Sequence, residues 1–351
     1  MKELLFFKNK RVFVTGHTGF KGSWLCKMLV NLGADVTGYS LPPSDDMLLF
    51  NLTGVESKIN SVFGDIRDVG SLDAAFKKSN PEIVFHLAAQ PIVRSGYEDP
   101  RYTYETNLMG TVNILECVRQ SDCVKSFLNV TTDKVYLNRE WEWGYRENEP
   151  LDGFDPYSNS KSCSELATHC YNNSFFKARN IAVSTARAGN VIGGGDFAQN
   201  RIVPDCVRAV INKDKIVLRN PSSIRPYQHV LEPLYAYLLI VKRQYQDITL
   251  AGYYNIGPEE HDCITTGRLT DLFCREWGNG LCWENVSEQN APHEANLLKL
   301  DCSRLKAVFD WKPSWNIERA IAKTVEWTKV YISGGDIPAC MDRQIEDFLN
   351  A

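Results

Sequence analysis

The stretch Arg11-Val12-Phe13-Val14-Thr15 runs straight into Gly16-His17-Thr18-Gly19-Phe20-Lys21-Gly22 and then into the helix-like Ser23–Leu32. No other feature of the chain limits its fold as severely. Apolar and β-branched residues predict a buried strand, and glycines at intervals of three let the backbone turn tightly, approach a pyrophosphate and pack helix against strand. The helix after the turn points its N-terminus, with its unpaired N–H groups, at the phosphates.

The same unit recurs along the first half of the chain. Ala34–Ser40 reads as a second strand, Ile59–Phe63 as a third, Ser71–Lys78 as a short helix and Glu82–Ala89 as a fourth strand. Gln90–Pro100 reads as a loop carrying Arg94 and Tyr97, followed by a long helix to about Gln120, a fifth strand at Lys125–Thr131 and a sixth at Ile181–Ala186. This alternation predicts an α/β fold, a Rossmann-type doubly wound parallel sheet with ligands at the C-terminal ends of its strands. The small residues ending the fourth strand, Leu87-Ala88-Ala89, would let a flat ligand lie close. The third strand ends at Gly64-Asp65-Ile66, where Asp65 would either accept a hydrogen bond from an adenine amine or close a turn. The second ends at Gly38-Tyr39-Ser40-Leu41 without the acidic residue that normally holds an adenosine ribose, so these residues leave NAD against NADP open. Ser40 and Lys21 are the nearby groups able to meet a 2′-phosphate.

Beyond about residue 190 the alternation becomes irregular, with prolines at 204, 221, 226 and 258. The expected organisation is residues 1–190 as mainly the dinucleotide-binding domain, to which strands from about 225–260 return, and residues 191–351 as mainly a smaller, interleaved, substrate-binding C-terminal domain. A chain of 351 residues with 44% hydrophobic content has material for both. Its net charge of −4 supplies no basic field for nucleic acid or an anionic membrane, so any phosphate site must be local. Eleven cysteines without a C-x-x-C pair argue against a disulfide framework or a metal site. The apolar run Leu4–Phe7 is too short for a signal-peptide core, and Leu234–Val241 falls well short of the roughly 20 residues a membrane span needs. A cytoplasmic protein is expected.

The chemistry centres on Asp155-Pro156-Tyr157-Ser158-Asn159-Ser160-Lys161. Asp155 is placed to cap a helix and Pro156 suits its first position, which puts Tyr157 and Lys161 on one face. A cation held beside a phenol favours the phenolate and would bring the tyrosine from its usual pKa of about 10 towards neutrality. Tyr-x-x-x-Lys alone, only two residues deep, reads first as a plain amphipathic helix. Its partner is Thr131-Thr132-Asp133-Lys134, at the C-terminal end of the fifth strand, where α/β enzymes keep their working residues.

Together, Gly16-x-x-Gly19-x-x-Gly22, Thr132 and Tyr157-x-x-x-Lys161 resemble the extended short-chain dehydrogenase/reductases that modify nucleotide sugars, the NAD-dependent epimerase/dehydratase family. Thr132-Asp133-Lys134 is similar to the Thr-Asp-Glu triplet of its sugar-nucleotide 4,6-dehydratases. The lysine, with Gly193-Gly194-Gly195-Asp196 and Arg225-Pro226-Tyr227-Gln228-His229-Val230, resembles the branch acting on CDP-glucose. The resemblance implies NAD as cofactor, held by Gly16, Thr18, Gly19, Phe20, Gly22, Asp65, Ile66, Leu87, Ala88, Ala89, Tyr157 and Lys161. It implies Tyr157 as the base on the sugar O4 hydroxyl, Lys161 on the cofactor ribose, Thr132 on O4, and Asp133 with Lys134 for loss of water across C5 and C6. Substrate contacts would come from Arg94, Asn190, Arg201, Arg219, Arg225 and His293. A homodimer through the helices near 100–120 and 160–175, or a homotetramer, and a place in O-antigen and lipopolysaccharide synthesis are also implied. A dehydratase or 4-epimerase of another nucleotide sugar, and a non-catalytic dinucleotide-binding regulator, are the alternatives.

Overall fold

The computed structural model describes residues 2–44, 48–286 and 297–351. Six strands arise in the first half: β1 (Arg11–Thr15), β2 (Asp35–Ser40), β3 (Asn60–Phe63), β4 (Ile83–His86), β5 (Ser126–Val130) and β6 (Ala182–Ala188). The second half adds β7 (Val191–Ile192), β8 (Ile216–Leu218), β9 (Ile224–Pro226), β10 (Gln228–His229), β11 (Tyr253–Ile256), β12 (Cys263–Thr265) and β13 (Trp283–Asn285). The main sheet has seven strands in the order β11-β6-β5-β4-β1-β2-β3, and every neighbouring pair is parallel. From β1 the chain winds outwards to β3 and then crosses back to β4 on the other side of β1. That reversal opens a crevice between the C-terminal ends of β1 and β4, where such sheets bind ligands.

Alternate residues of β1 face opposite layers. Val12 and Val14 join a core with Trp24, Leu25, Phe85, Leu128 and the buried helix Leu231–Gln246, while Phe13 joins a second core with Phe76, Val84, Ile114 and Phe127. A strand buried on both faces is mostly apolar, and this explains why β1 and β4 read as strands in the sequence; in β5 the buried Asn129 amide nitrogen donates to Ser164 and Thr168.

Several boundaries differ from expectation. The fourth strand stops at His86, because Leu87 and Ala88 turn their N–H groups to Thr15 Oγ1, at 3.1 and 3.2 Å. The expected loop Gln90–Pro100 contains the helix Val93–Glu98, whose entry is closed by Gln90 Oε1 accepting from the Ile92 N–H at 2.6 Å. Of the later strands only β11 returns to the large sheet; β9 and β10 pair with β12 and β7 in small ribbons of their own. A third core, with Val203, Leu269, Phe273 and Ile321, lies beneath these ribbons.

Candidate active site

The glycine turn is built by close approach. Gly16 has φ +76°, and a Cβ there would lie 2.7 Å from the Ala88 nitrogen; one on Gly22 would lie 2.0 Å from the Gly16 carbonyl oxygen. At Gly19 the only neighbour among the described residues within 4 Å of such a Cβ is that same carbonyl, at 3.5 Å. The helix Phe20–Asn31 therefore starts at an unobstructed turn, and no side chain caps it. An uncapped helix N-terminus against small residues fits a pyrophosphate. Thr18 Oγ1 bonds Ser40 Oγ at 2.8 Å and the Leu41 carbonyl at 3.0 Å, which fastens the turn to the end of β2. Phe20 lies under Gly193, and Ile66 fills the space left by Gly110. The Asp65 carboxylate is taken up by Arg67, at 2.7 Å, and is held below its ordinary pKa mainly by that hydrogen bond.

The helix Pro156–Tyr171 is placed by its own sequence and then locked to β5. Asp155 accepts from the Ser158 N–H at 3.0 Å, with Pro156 in the first turn, as its spacing predicts. Ser162 Oγ donates to the Val135 carbonyl at 2.7 Å, and Lys161 Nζ donates to the Val130 carbonyl at 3.1 Å. These bonds set the register of Tyr157 against the turn Asp133–Val135, which Thr132 caps. Gly96 is a contributor that sequence reasoning missed: a Cβ there would come within 3.2 Å of the Tyr157 nitrogen, so a bare residue lets the Val93–Glu98 helix lie against the tyrosine. A glycine within a polar segment carried no distinguishing signal.

At this junction the Thr132 hydroxyl donates to Asp133 Oδ1 at 2.9 Å and stands close enough to Tyr157 to favour its phenolate. Lys134 Nζ donates to Asp133 Oδ1 at 3.0 Å and to Asn190 Oδ1 at 3.3 Å. Asp133 is buried, and its Oδ2 has no hydrogen-bond partner among the described residues, which leaves an acceptor for a ligand hydroxyl. Arg201 pairs with Asp196 at 3.1 Å and stands close enough for its charge to act on Tyr157.

One electrostatic expectation is corrected. Burial raises the Tyr157 phenol above its usual value, and the groups that pull it back are Lys134, the Thr132 hydrogen bond and Arg201, not Lys161. Burial brings the Lys161 amine down to about 8, and it is turned to a backbone carbonyl instead of the phenol. The cation beside the tyrosine comes from the next strand end and from the irregular half of the chain, which spacing along one helix could not indicate.

The remaining expected substrate residues sit on other elements. Arg94 is half-buried on the Val93–Glu98 helix, Arg225 is buried on β9, and Arg219 is exposed, with Nη1 3.4 Å from Asn200 Oδ1. His293 lies outside the described residues.

The model of the family described as GDP-mannose 4,6 dehydratase matches residues 13–324. The chain belongs to that family. It is 46% identical to CDP-glucose 4,6-dehydratase of Salmonella typhimurium, over 99% of this chain and 98% of that protein. A dTDP-glucose 4,6-dehydratase of Haemophilus influenzae is 25% identical, over 90% of this chain and 97% of its own length. Among solved structures, UDP-glucose 4-epimerase of Thermotoga maritima with UDP-glucose superposes with a TM-score of 0.79 at 21% identity, covering 92% of this chain and 99% of that one. dTDP-glucose 4,6-dehydratase of Bacillus anthracis in complex with NAD gives 0.77 at 21% identity, covering 92% and 98%.

Proposed function

We propose that this chain is an NAD-dependent nucleotide-sugar 4,6-dehydratase that converts CDP-glucose to CDP-4-dehydro-6-deoxyglucose and water. The observation that carries the reading is the junction of Thr132, Asp133, Lys134, Tyr157 and Lys161 at the end of β5, in a chain 46% identical to a CDP-glucose 4,6-dehydratase along almost its whole length.

The chemistry a bound NAD would supply is reversible hydride transfer, from the sugar C4 and back to C6, without net consumption. Gly16, Thr18, Gly19, Phe20, Gly22, Ile66 and Ala88 would hold it, with Asp65, Leu87 and Ala89 at the flanking strand ends, and Lys161 would serve its ribose. Tyr157 takes the O4 proton, and the Thr132 hydroxyl orients both oxygens. Lys134 and Asp133 serve the loss of water: the free Asp133 Oδ2 faces a departing hydroxyl, and the Lys134 charge steadies negative charge on the sugar. Asn190, Arg201 and Arg225 serve the diphosphate, with Arg94, Arg219 and His293 as further substrate contacts.

The finer settings belong to the same reading. CDP-4-dehydro-6-deoxyglucose is a precursor for O-antigen and lipopolysaccharide sugars. Eleven thiols, all free, support a cytoplasmic setting, and no helix among the described residues is long and apolar enough to cross a membrane. Exposed Met109, Leu166 and Phe175 on the two long helices support a homodimer or homotetramer formed there.

The test incubates purified protein with catalytic NAD and CDP-, dTDP-, UDP- and GDP-glucose separately, and follows products by proton NMR. CDP-glucose is expected to give the 4-keto-6-deoxy sugar fastest. Inversion at C4 without loss of water would make the chain an epimerase, and no reaction with any sugar would favour a binding protein.

A further inference from the structure

Asn190 lies in the short turn between β6 and β7, and the backbone of that turn is fixed on both sides. The Asn190 carbonyl accepts from the Gln228 N–H at 2.9 Å, and the Gly189 N–H donates to the Ile256 carbonyl at 3.1 Å. Gly189 has no room for a side chain, since a Cβ there would lie 2.8 Å from the carbonyl oxygen of Pro226, the residue after Arg225. From this rigid corner the Asn190 side chain reaches the elimination residues: its Oδ1 accepts from Lys134 Nζ at 3.3 Å.

An ammonium donates and never accepts, so the contact fixes the amide, with Oδ1 towards Lys134 and Nδ2 left to another partner. Among the described residues Nδ2 has none. The Lys134 ammonium is held at two points, by Asn190 and by Asp133 Oδ1 at 3.0 Å. Asp133 Oδ1 also takes the Thr132 hydroxyl at 2.9 Å, whereas its buried Oδ2 has no partner among the described residues.

Resting on the dehydratase reading, we propose that Asn190 is a positioning residue for the loss of water, acting through Lys134. A lysine carries its amine on a flexible stem, and with Asp133 as sole anchor that amine would swing about the carboxylate and close on Oδ2. The second anchor keeps it on Oδ1. Oδ2 then stays open to the departing C6 hydroxyl, and the third N–H of the ammonium is kept for the sugar oxygen that gains negative charge as C5 loses its proton. The amide nitrogen remains a donor for the diphosphate, beside the segment that carries Arg225. One side chain thus has two separable roles, binding through its nitrogen and elimination through its oxygen.

The experiment compares wild type, Asn190→Ala, Asn190→Asp, Lys134→Ala and the Lys134→Ala/Asn190→Ala double variant, with NAD present and CDP-glucose varied. Steady-state rates give KM. First turnovers at saturating CDP-glucose, followed by absorbance of reduced nicotinamide and by proton NMR of quenched samples, separate C4 oxidation from loss of water. Asn190→Ala removes both contacts: KM should rise, oxidation should stay within about threefold of wild type, and loss of water should slow about ten- to a hundredfold, the size of a lost hydrogen bond to a charged group, so that reduced nicotinamide accumulates. Asn190→Asp keeps an acceptor for Lys134 and loses the donor. Its KM should rise further, because a carboxylate repels a diphosphate, while loss of water at saturation should return to within about threefold of wild type. In the double variant loss of water should be no slower than in Lys134→Ala, because Asn190 acts through the lysine. Melting temperatures should be nearly unchanged, since the bonds that fix the turn are made by backbone groups. Loss of water by saturated Asn190→Ala at the wild-type rate, equal slowing of oxidation and elimination, an Asn190→Asp variant as slow as Asn190→Ala, or losses that multiply in the double variant would each overturn the assignment. If wild type itself yields no 4-keto-6-deoxy product, it is the dehydratase reading that fails.

Discussion

Lys161 and Glu165 are one turn apart on the same helix, and their surroundings treat buried charge in opposite ways. Glu165 accepts from Thr131 Oγ1 at 2.5 Å, Thr185 Oγ1 at 2.6 Å and Arg187 Nε and Nη2 at 3.0 and 2.9 Å. Burial alone would raise its pKa, but Arg187 and these donors outweigh it and hold the carboxylate below its ordinary value. Arg187 uses its other nitrogen on the Tyr136 hydroxyl and the Glu147 carbonyl, both at 2.9 Å. Around Lys161, by contrast, matching is incomplete: Lys161 is turned to a backbone carbonyl, and Asp133 is paired with Lys134 through one oxygen while the other has no partner among the described residues. A buried network in which each charge is matched holds β6 to the helix. One that is short of partners is poised to bind and to exchange protons.

The largest effect should come from breaking the matched side. Arg187→Met leaves Glu165 charged, buried and without its cation, and should cost about 3–5 kcal/mol in urea unfolding. A loss below about 1 kcal/mol would mean that the network is not structural and would collapse the contrast.

On the other side the loss should appear in rate rather than stability. Tyr157→Phe keeps the ring and removes the hydroxyl, so turnover of CDP-glucose should fall at least about a hundredfold with the melting temperature nearly unchanged. Initial rates and calorimetry on one preparation separate the two, and near-normal turnover would remove the tyrosine from the chemistry.

The smallest effect sharpens the comparison through pH. Burial lowers Lys161 from 10.5 to about 8 in the folded protein. Between those values the unfolded chain binds a proton that the folded one does not, so this group makes stability rise with pH. From pH 8 to 9.5 wild type should gain roughly 1–2 kcal/mol on Lys161→Met in parallel unfolding series. Parallel curves would show that the amine is charged throughout, like its neighbour Glu165.

The wound sheet, the glycine turn, the capped start of the tyrosine helix and the Thr132 triplet were legible in the sequence, because each rests on interactions a few residues long. An unbroken apolar run marks β1; glycine spacing marks the turn; Asp155 and Pro156 mark the helix. The source of positive charge at Tyr157 was not legible. Lys134 and Arg201 come from separate parts of the chain, and only the later loops folding over the strand ends bring them together. Nor did spacing show that Lys161 would be turned to a carbonyl, or that Gly96 would admit the tyrosine. Residue type and local pattern settled which groups are available for chemistry. Burial and long-range placement settled which of them hold a charge, because the cost of a charge depends on the water and the neighbours it loses on folding.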